Sequence, residues 1–222
     1  MPRPQLFFIS GLGADHRAFD RIELGGYEQK HLPWLIPEKN ESFHNYAKRL
    51  AEPIMAAENP VVIGLSLGGM MASEMTTFVP HMRAILVSSI KAPEERSTLL
   101  KIGRAFPAQR LVSGKALKKM SFIWSAAKRK YPKEDIEHMM QMFHDQDERF
   151  LKWAIVNAPL WRGRGVAERI SHIHGTADQM FPIRRIKDHV ELEGGTHLMV
   201  YTRGKEVTEL LKQELNRLES VL

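Results

Sequence analysis

The stretch Gly64-Leu65-Ser66-Leu67-Gly68 has the clearest capacity for covalent chemistry in this chain. A serine hydroxyl is a poor nucleophile until a neighbouring base takes its proton. The spacing G-x-S-x-G serves that chemistry where a strand runs into the serine and a helix leaves it. Val61-Val62-Ile63 supplies a β-branched strand before Ser66, and Met70 to Phe78 reads as a buried helix after it. A serine at the tip of so sharp a turn needs a strained backbone. Side chains two residues to either side would collide with their surroundings, which glycines at 64 and 68 avoid. The helix that follows turns its N-terminal N–H groups and positive dipole end toward charge developing at the serine. Glycine and serine are common residues, so the pattern alone fits an ordinary turn equally well. The strand-then-helix setting favours a nucleophile.

The base must come from elsewhere in the chain. Of the 10 histidines, His197 is the best placed: it follows Glu193-Gly194-Gly195-Thr196, just past the last predicted strand and before the terminal helix. Glycine-rich turns at strand ends are where an open α/β sheet presents its site. The acid candidate is Asp178, in Gly175-Thr176-Ala177-Asp178-Gln179-Met180-Phe181-Pro182, again in a loop after a strand. The competing reading of Asp178 is a turn aspartate bonded to its own backbone. His172 and His174 alternate on the preceding strand and suggest a metal pair. No third ligand stands at an evident spacing, so they are read as strand residues and no metal site is expected.

Positioning three such distant residues requires a fold that gathers strand ends at one rim. Short apolar runs alternate with helical patterns along the chain, the mark of a parallel sheet covered by helices. Strands are predicted at 5–10, 27–32, 60–65, 84–89, 170–174 and 187–192. Helices are predicted at 42–57 and 70–78, with a long terminal one over 205–218. From Lys91 to about Trp161 no convincing strand occurs, and amphipathic stretches such as Ile136, Met139, Met140 and Phe143 replace it. The fold class is therefore α/β: a mostly parallel central sheet of about six strands flanked by helices. One domain over 1–222 carries a helical insertion at 91–165, between the fourth and fifth strands.

With these residues in view, the chain resembles the α/β-hydrolase fold superfamily. The resemblance covers roughly residues 1–90 and 168–222. It rests on Gly11-Leu12-Gly13-Ala14-Asp15 after the first strand, Gly64 to Gly69, Gly175 to Pro182, and Gly194-Gly195-Thr196-His197. The chain order Ser66, Asp178, His197 is the one expected of that fold. The resemblance implies an oxyanion hole from the backbone N–H groups of Leu12 and Leu67, and a lid role for the inserted segment. Two departures stand out. Ser10-Gly11 replaces the His-Gly often seen at the first loop, and the chain begins at what the family would number its third strand.

Composition narrows the function classes. The 43% apolar and 26% charged content is that of a globular protein, and zero cysteines exclude disulfides, thiolate zinc sites and a cysteine nucleophile. The apolar run Leu6 to Ile9, preceded by two prolines, is too short for a cleaved leader. No stretch approaches the ~20 apolar residues of a transmembrane span, and a cytoplasmic setting is expected. The net charge of +6 is unevenly spread. Residues 91–165 hold 16 Lys and Arg against 8 Asp and Glu, a balance of +8, and the remainder −2. A solvated helical exterior is the preferred reading of that excess over a specific anion site. It nonetheless leans toward an anionic ester or thioester as substrate. No nucleic-acid motif accompanies it.

The expected activity is hydrolysis of a small carboxylic ester or thioester through an acyl-enzyme on Ser66, with no cofactor and no metal. A C–C hydrolase or lyase with the same triad, and a non-catalytic small-molecule receptor on the same fold, are the alternatives. Phe106, Met120, Phe122, Trp124, Met139, Met142, Phe143, Trp153 and Trp161 are the insertion's large apolar residues, most of them expected in helix–helix packing.

Overall fold

The computed structural model describes residues 3–106, 111 and 131–220. Six parallel strands form one sheet in the order β2-β1-β3-β4-β5-β6. They are β1 (Gln5–Ile9), β2 (Gln29–His31), β3 (Pro60–Leu65), β4 (Arg83–Val87), β5 (Ile170–Gly175) and β6 (Val190–Leu192). The order reverses at β1, so chain segments leaving β1 and β3 diverge at their carboxyl ends, where an open α/β sheet forms its crevice.

β3 is buried at all six positions, as expected of a central strand covered on both faces. One core layer gathers Phe7, Ile9, Tyr46, Val62, Met71 and Trp153; the other gathers Leu6, Phe8, Val61, Ile63, Met199 and Leu211. The alternation of odd and even strand residues between the two layers follows from the two-residue period of a strand.

The helices on the first face are α1 (Phe43–Leu50), α2 (Glu52–Met55) and α3 (Leu67–Met75). The predicted helix over 42–57 is thus two helices. Pro53 stands at the start of the second, where its missing N–H is harmless and its ring would break a longer helix. Ser42 caps α1 by accepting from the Asn45 N–H at 3.1 Å. Between β4 and β5 lie α4 (Thr98–Ala105), α5 (Lys133–Asp145) and α6 (Glu148–Asn157). α7 (Met199–Thr202) and α8 (Gly204–Glu219) close the chain, with Val207, Leu211, Leu215 and Leu218 of α8 buried on one face. Met120, Phe122 and Trp124 lie outside the described residues. Among the described residues, no helix is long and apolar enough to cross a membrane.

α5 and α6 are tied firmly to the rest. Trp153 Nε1 donates to the Glu41 carbonyl at 2.8 Å, and Trp161 Nε1, past α6, donates to the buried Glu74 carboxylate at 2.7 Å. α4 differs: none of its residues is buried, and Leu99, Ile102 and the adjoining Phe106 are exposed.

Candidate active site

Ser66 lies between the last residue of β3 and the first of α3, with φ 52° and ψ −113°. For a residue with a Cβ this is a strained conformation. Its neighbours hold it there. The Ser66 N–H donates to the Val87 carbonyl at 3.0 Å, and the Ser89 hydroxyl donates to the Ser66 carbonyl at 2.6 Å. The expected steric need for glycine is met by close backbone approach. A Cβ at Gly64 would stand 2.5 Å from the Gly68 carbonyl oxygen, and one at Gly68 would stand 2.1 Å from that of Ile9.

The loops after β5 and β6 are stitched to one another. Thr176 N–H donates to the Leu192 carbonyl at 3.1 Å, Ala177 N–H to that of Gly195 at 2.9 Å, and Gly194 N–H to the Thr176 hydroxyl at 2.8 Å. This stitching brings Asp178 and His197 together. Asp178 Oδ2 lies 2.9 Å from His197 Nδ1, and His197 Nε2 lies 3.0 Å from Ser66 Oγ. The arrangement fits an imidazole that donates from Nδ1 to the carboxylate and presents its Nε2 lone pair to the hydroxyl. All three residues singled out in the sequence therefore meet in one hydrogen-bonded line.

Asp178 Oδ1 accepts the backbone N–H groups of Met180 at 2.8 Å and Phe181 at 2.9 Å. The turn reading of Asp178 fits these bonds: one carboxyl oxygen closes the loop, while the other faces the imidazole. Burial works to raise the Asp178 pKa, but the bond to His197, its charge and the Phe181 N–H outweigh burial and hold it below the usual carboxylate value. The Phe181 ring meets the His197 ring edge-on, centroids 5.4 Å apart.

Leu12 and Leu67 carry the two N–H groups named as oxyanion donors. Among the described residues, neither N–H bonds to a protein acceptor. The turn Gly11–Ala14 lines the same cavity as Ser66 and His197, a space of about 80 Å³. Its far wall is α5, whose Met139 and Met142 face it and whose Phe143 ring packs on Gly13. A larger cavity of about 340 Å³, lined in part by Ser10, Trp34 and Phe150, touches none of Ser66, Asp178 and His197.

His172 and His174 are buried side by side, His174 Nδ1 lying 3.2 Å from His172 Nε2. His174 Nε2 bonds to the Phe181 carbonyl at 2.8 Å and stands 3.6 Å from Asp178 Oδ2. Desolvation lowers both pKa values, that of His172 strongly, with the neighbouring imidazole adding to the effect on His172. Among the described residues, no group of three or more His, Cys, Asp or Glu could hold a metal.

Sequence reasoning missed Ser89 and Phe181 as residues that brace the site. Their positions two residues past β4 and beyond Asp178 were the available signal; their residue types carried none. It also placed the pocket wall only loosely. Met139 and Met142 reach the cavity, whereas Trp153 and Trp161 belong to the core and Phe106 is exposed.

A family model described as the alpha/beta hydrolase family matches residues 6–210. A search of curated proteins returns no match. Solved structures with the same fold include a carboxylesterase study from the thaumarchaeon Nitrososphaera gargenis, with TM-score 0.74 and 16% identity over 99% of this chain and 92% of that one. An esterase from Thermogutta terrifontis aligns with TM-score 0.72 and 16% identity over 96% and 90% of the two chains. A bromoperoxidase from Bacillus anthracis aligns with TM-score 0.69 and 12% identity over 97% and 92%. At such identities the likeness concerns the fold, and the same scaffold hosts more than one chemistry.

Proposed function

The chain belongs to the alpha/beta hydrolase family, and from that premise we propose that it is a serine hydrolase cleaving a small carboxylic ester or thioester. The observation carrying this reading is the unbroken line from Ser66 Oγ through His197 to Asp178, at 3.0 and 2.9 Å. Ser66 attacks the carbonyl carbon as His197 Nε2 takes the hydroxyl proton. The N–H groups of Leu12 and Leu67 bind the oxyanion, and the charged Asp178 stabilises the imidazolium. His197 then gives the proton to the leaving oxygen or sulfur as the tetrahedral intermediate collapses. Water enters, loses its proton to His197, attacks the acyl carbon and frees the acid by the reverse sequence.

Segment 91–165 acts as the lid of this site, with α5 as the part that covers Ser66. The esterase names of two structural neighbours make carboxyl esters the first substrates to try. Labelling by a fluorophosphonate tests the nucleophile: the native chain should react and Ser66→Ala should not, with turnover of p-nitrophenyl acetate falling by about four or more orders of magnitude. Equal labelling of both proteins would remove Ser66 from the mechanism.

A further inference from the structure

We propose that the cavity beside Ser66 is the acyl-chain site, that it admits uncharged acyl groups of about two to four carbons, and that Met139 and Met142 set this limit. The inference rests on the serine-hydrolase reading above and assigns it a substrate class.

The cavity's volume is the first argument. It measures about 80 Å³, whereas a dry cavity of about 150 Å³ accommodates benzene, a six-carbon ring. By proportion it holds about three carbon atoms, the tail of a butyryl group beyond its carbonyl. Drug-sized ligands occupy pockets of about 300 Å³ and more.

The chemistry of the walls is the second. Leu65, Met139, Met142, Leu198 and Val200 are apolar, and no lysine or arginine is among the described residues lining the cavity. Tyr201 brings a hydroxyl, but it is engaged with His138 Nδ1 at 2.8 Å. Among the described residues, the polar side-chain groups left facing the space are those of Ser66 and His197. A carboxylate or phosphate carried on the acyl tail would lose its water there without gaining a partner. Among the described residues, none of the lysines and arginines of segment 91–165 lines this cavity.

The fixity of the limit is the third argument. Met139 and Met142 are buried, and α5 is seated on the turn after β1 through Phe143 against Gly13. Gln146 Nε2 adds a bond to the Ala14 carbonyl at 3.3 Å. Methionine is a flexible filler, yet here its helix is anchored before the pair by Arg21 on Asp135 at 2.6 Å and after it by Phe143 and Gln146.

The test uses the full chain with p-nitrophenyl acetate, butyrate, hexanoate and octanoate, comparing kcat/KM. Hexanoate should fall at least about tenfold below butyrate, since one methylene in an apolar pocket changes discrimination by about tenfold or more. Met139→Ala and Met142→Ala each remove three side-chain atoms and should raise the hexanoate-to-acetate ratio about tenfold. Ala18→Val, which adds bulk to the same cavity from the side of the β1 turn, should lower the butyrate-to-acetate ratio. Ratios within one preparation are independent of the fraction that folds.

A second arm fixes the butyryl group and lengthens the alcohol, where no comparable cutoff is expected. A third compares butyrate with hemisuccinate, which should be turned over at least about tenfold more slowly. A flat acyl profile, unmoved ratios in the variants, a cutoff in the alcohol series, or equal use of hemisuccinate overturns the inference. If Ser66 is still labelled by fluorophosphonate in that event, the hydrolase reading stands without it. If Ser66 is unlabelled and no ester is cleaved, both fall together.

Discussion

The carboxyl rim of the sheet and the segment between β4 and β5 are built on different principles. At the rim, hydrogen bonds that involve the backbone fix two of the candidate residues: Ser66 through the Val87 carbonyl and the Ser89 hydroxyl, Asp178 through the N–H groups of Met180 and Phe181. The described part of the inserted segment is held by large side chains reaching into the core, such as Trp153 and Trp161, while α4 has no buried residue and sets only a half-buried Leu100 against the core. The candidate site thus sits where hydrogen bonds fix the backbone, and the described part of the insertion is held at large side-chain anchors. Substitutions in the two regions should differ in kind as well as size.

The largest effect is expected at the rim. Asp178→Asn keeps the shape and both loop bonds but removes the charge that holds the imidazole tautomer, so kcat should fall by about three to four orders of magnitude with little change in Tm. An equal loss of Tm would show that the rim is a packing feature like the anchors. Next comes Trp161→Ala, which removes a buried ring and takes one donor from Glu74. It should cost about 3–5 kcal/mol in chemical denaturation, and a loss below about 1 kcal/mol would mean the insertion is held elsewhere.

A pH series probes the buried histidines behind the rim. His172 and His174 have pKa values lowered by burial, so the unfolded chain binds more protons than the folded one once the pH drops below about 6.5. Stability should therefore fall with acidification from there, by up to about 1.4 kcal/mol per pH unit for each histidine. Asp178, with its folded value depressed, stabilises above its unfolded value near 4 and loses that contribution only as the pH falls through the lower folded one. His172→Phe should shallow the slope between pH 6.5 and 5; an unaltered slope would assign it to other groups. The smallest effect belongs to α4: Ile102→Ala should change stability by less than about 0.5 kcal/mol, and a larger loss would show that this helix is seated after all.

The same contrast explains what could be read from the sequence. Ser66, Asp178 and His197 stood out because each lies in a glycine-marked loop at a strand end, and such loops are encoded over a few neighbouring residues. β3 was found to the residue, since Val61-Val62-Ile63 is a local signal. β2 was placed two residues too early and one too late, because its three residues are all exposed and carry no apolar alternation. The start of α3 was placed at Met70 instead of Leu67, as Gly68 and Gly69 read as turn residues although close packing requires them in the helix. The helices in the described part of the segment between β4 and β5 were legible, but not their contacts. Whether an apolar face of α4, α5 or α6 meets core, cavity or water depends on how distant segments dock, and periodicity is silent on that.

The turn after β1 has three fastenings to the end of α5: the Phe143 ring on Gly13, Gln146 on the Ala14 carbonyl, and Arg17, which clasps Asp15 on one side and Asp145 at 2.6 Å on the other. The turn consequently inherits its resting position from that helix. Bulkier replacements that tilt α5 would carry the Leu12 amide with them, so on the proposed oxyanion role of that amide a change aimed at selectivity would alter rate as well.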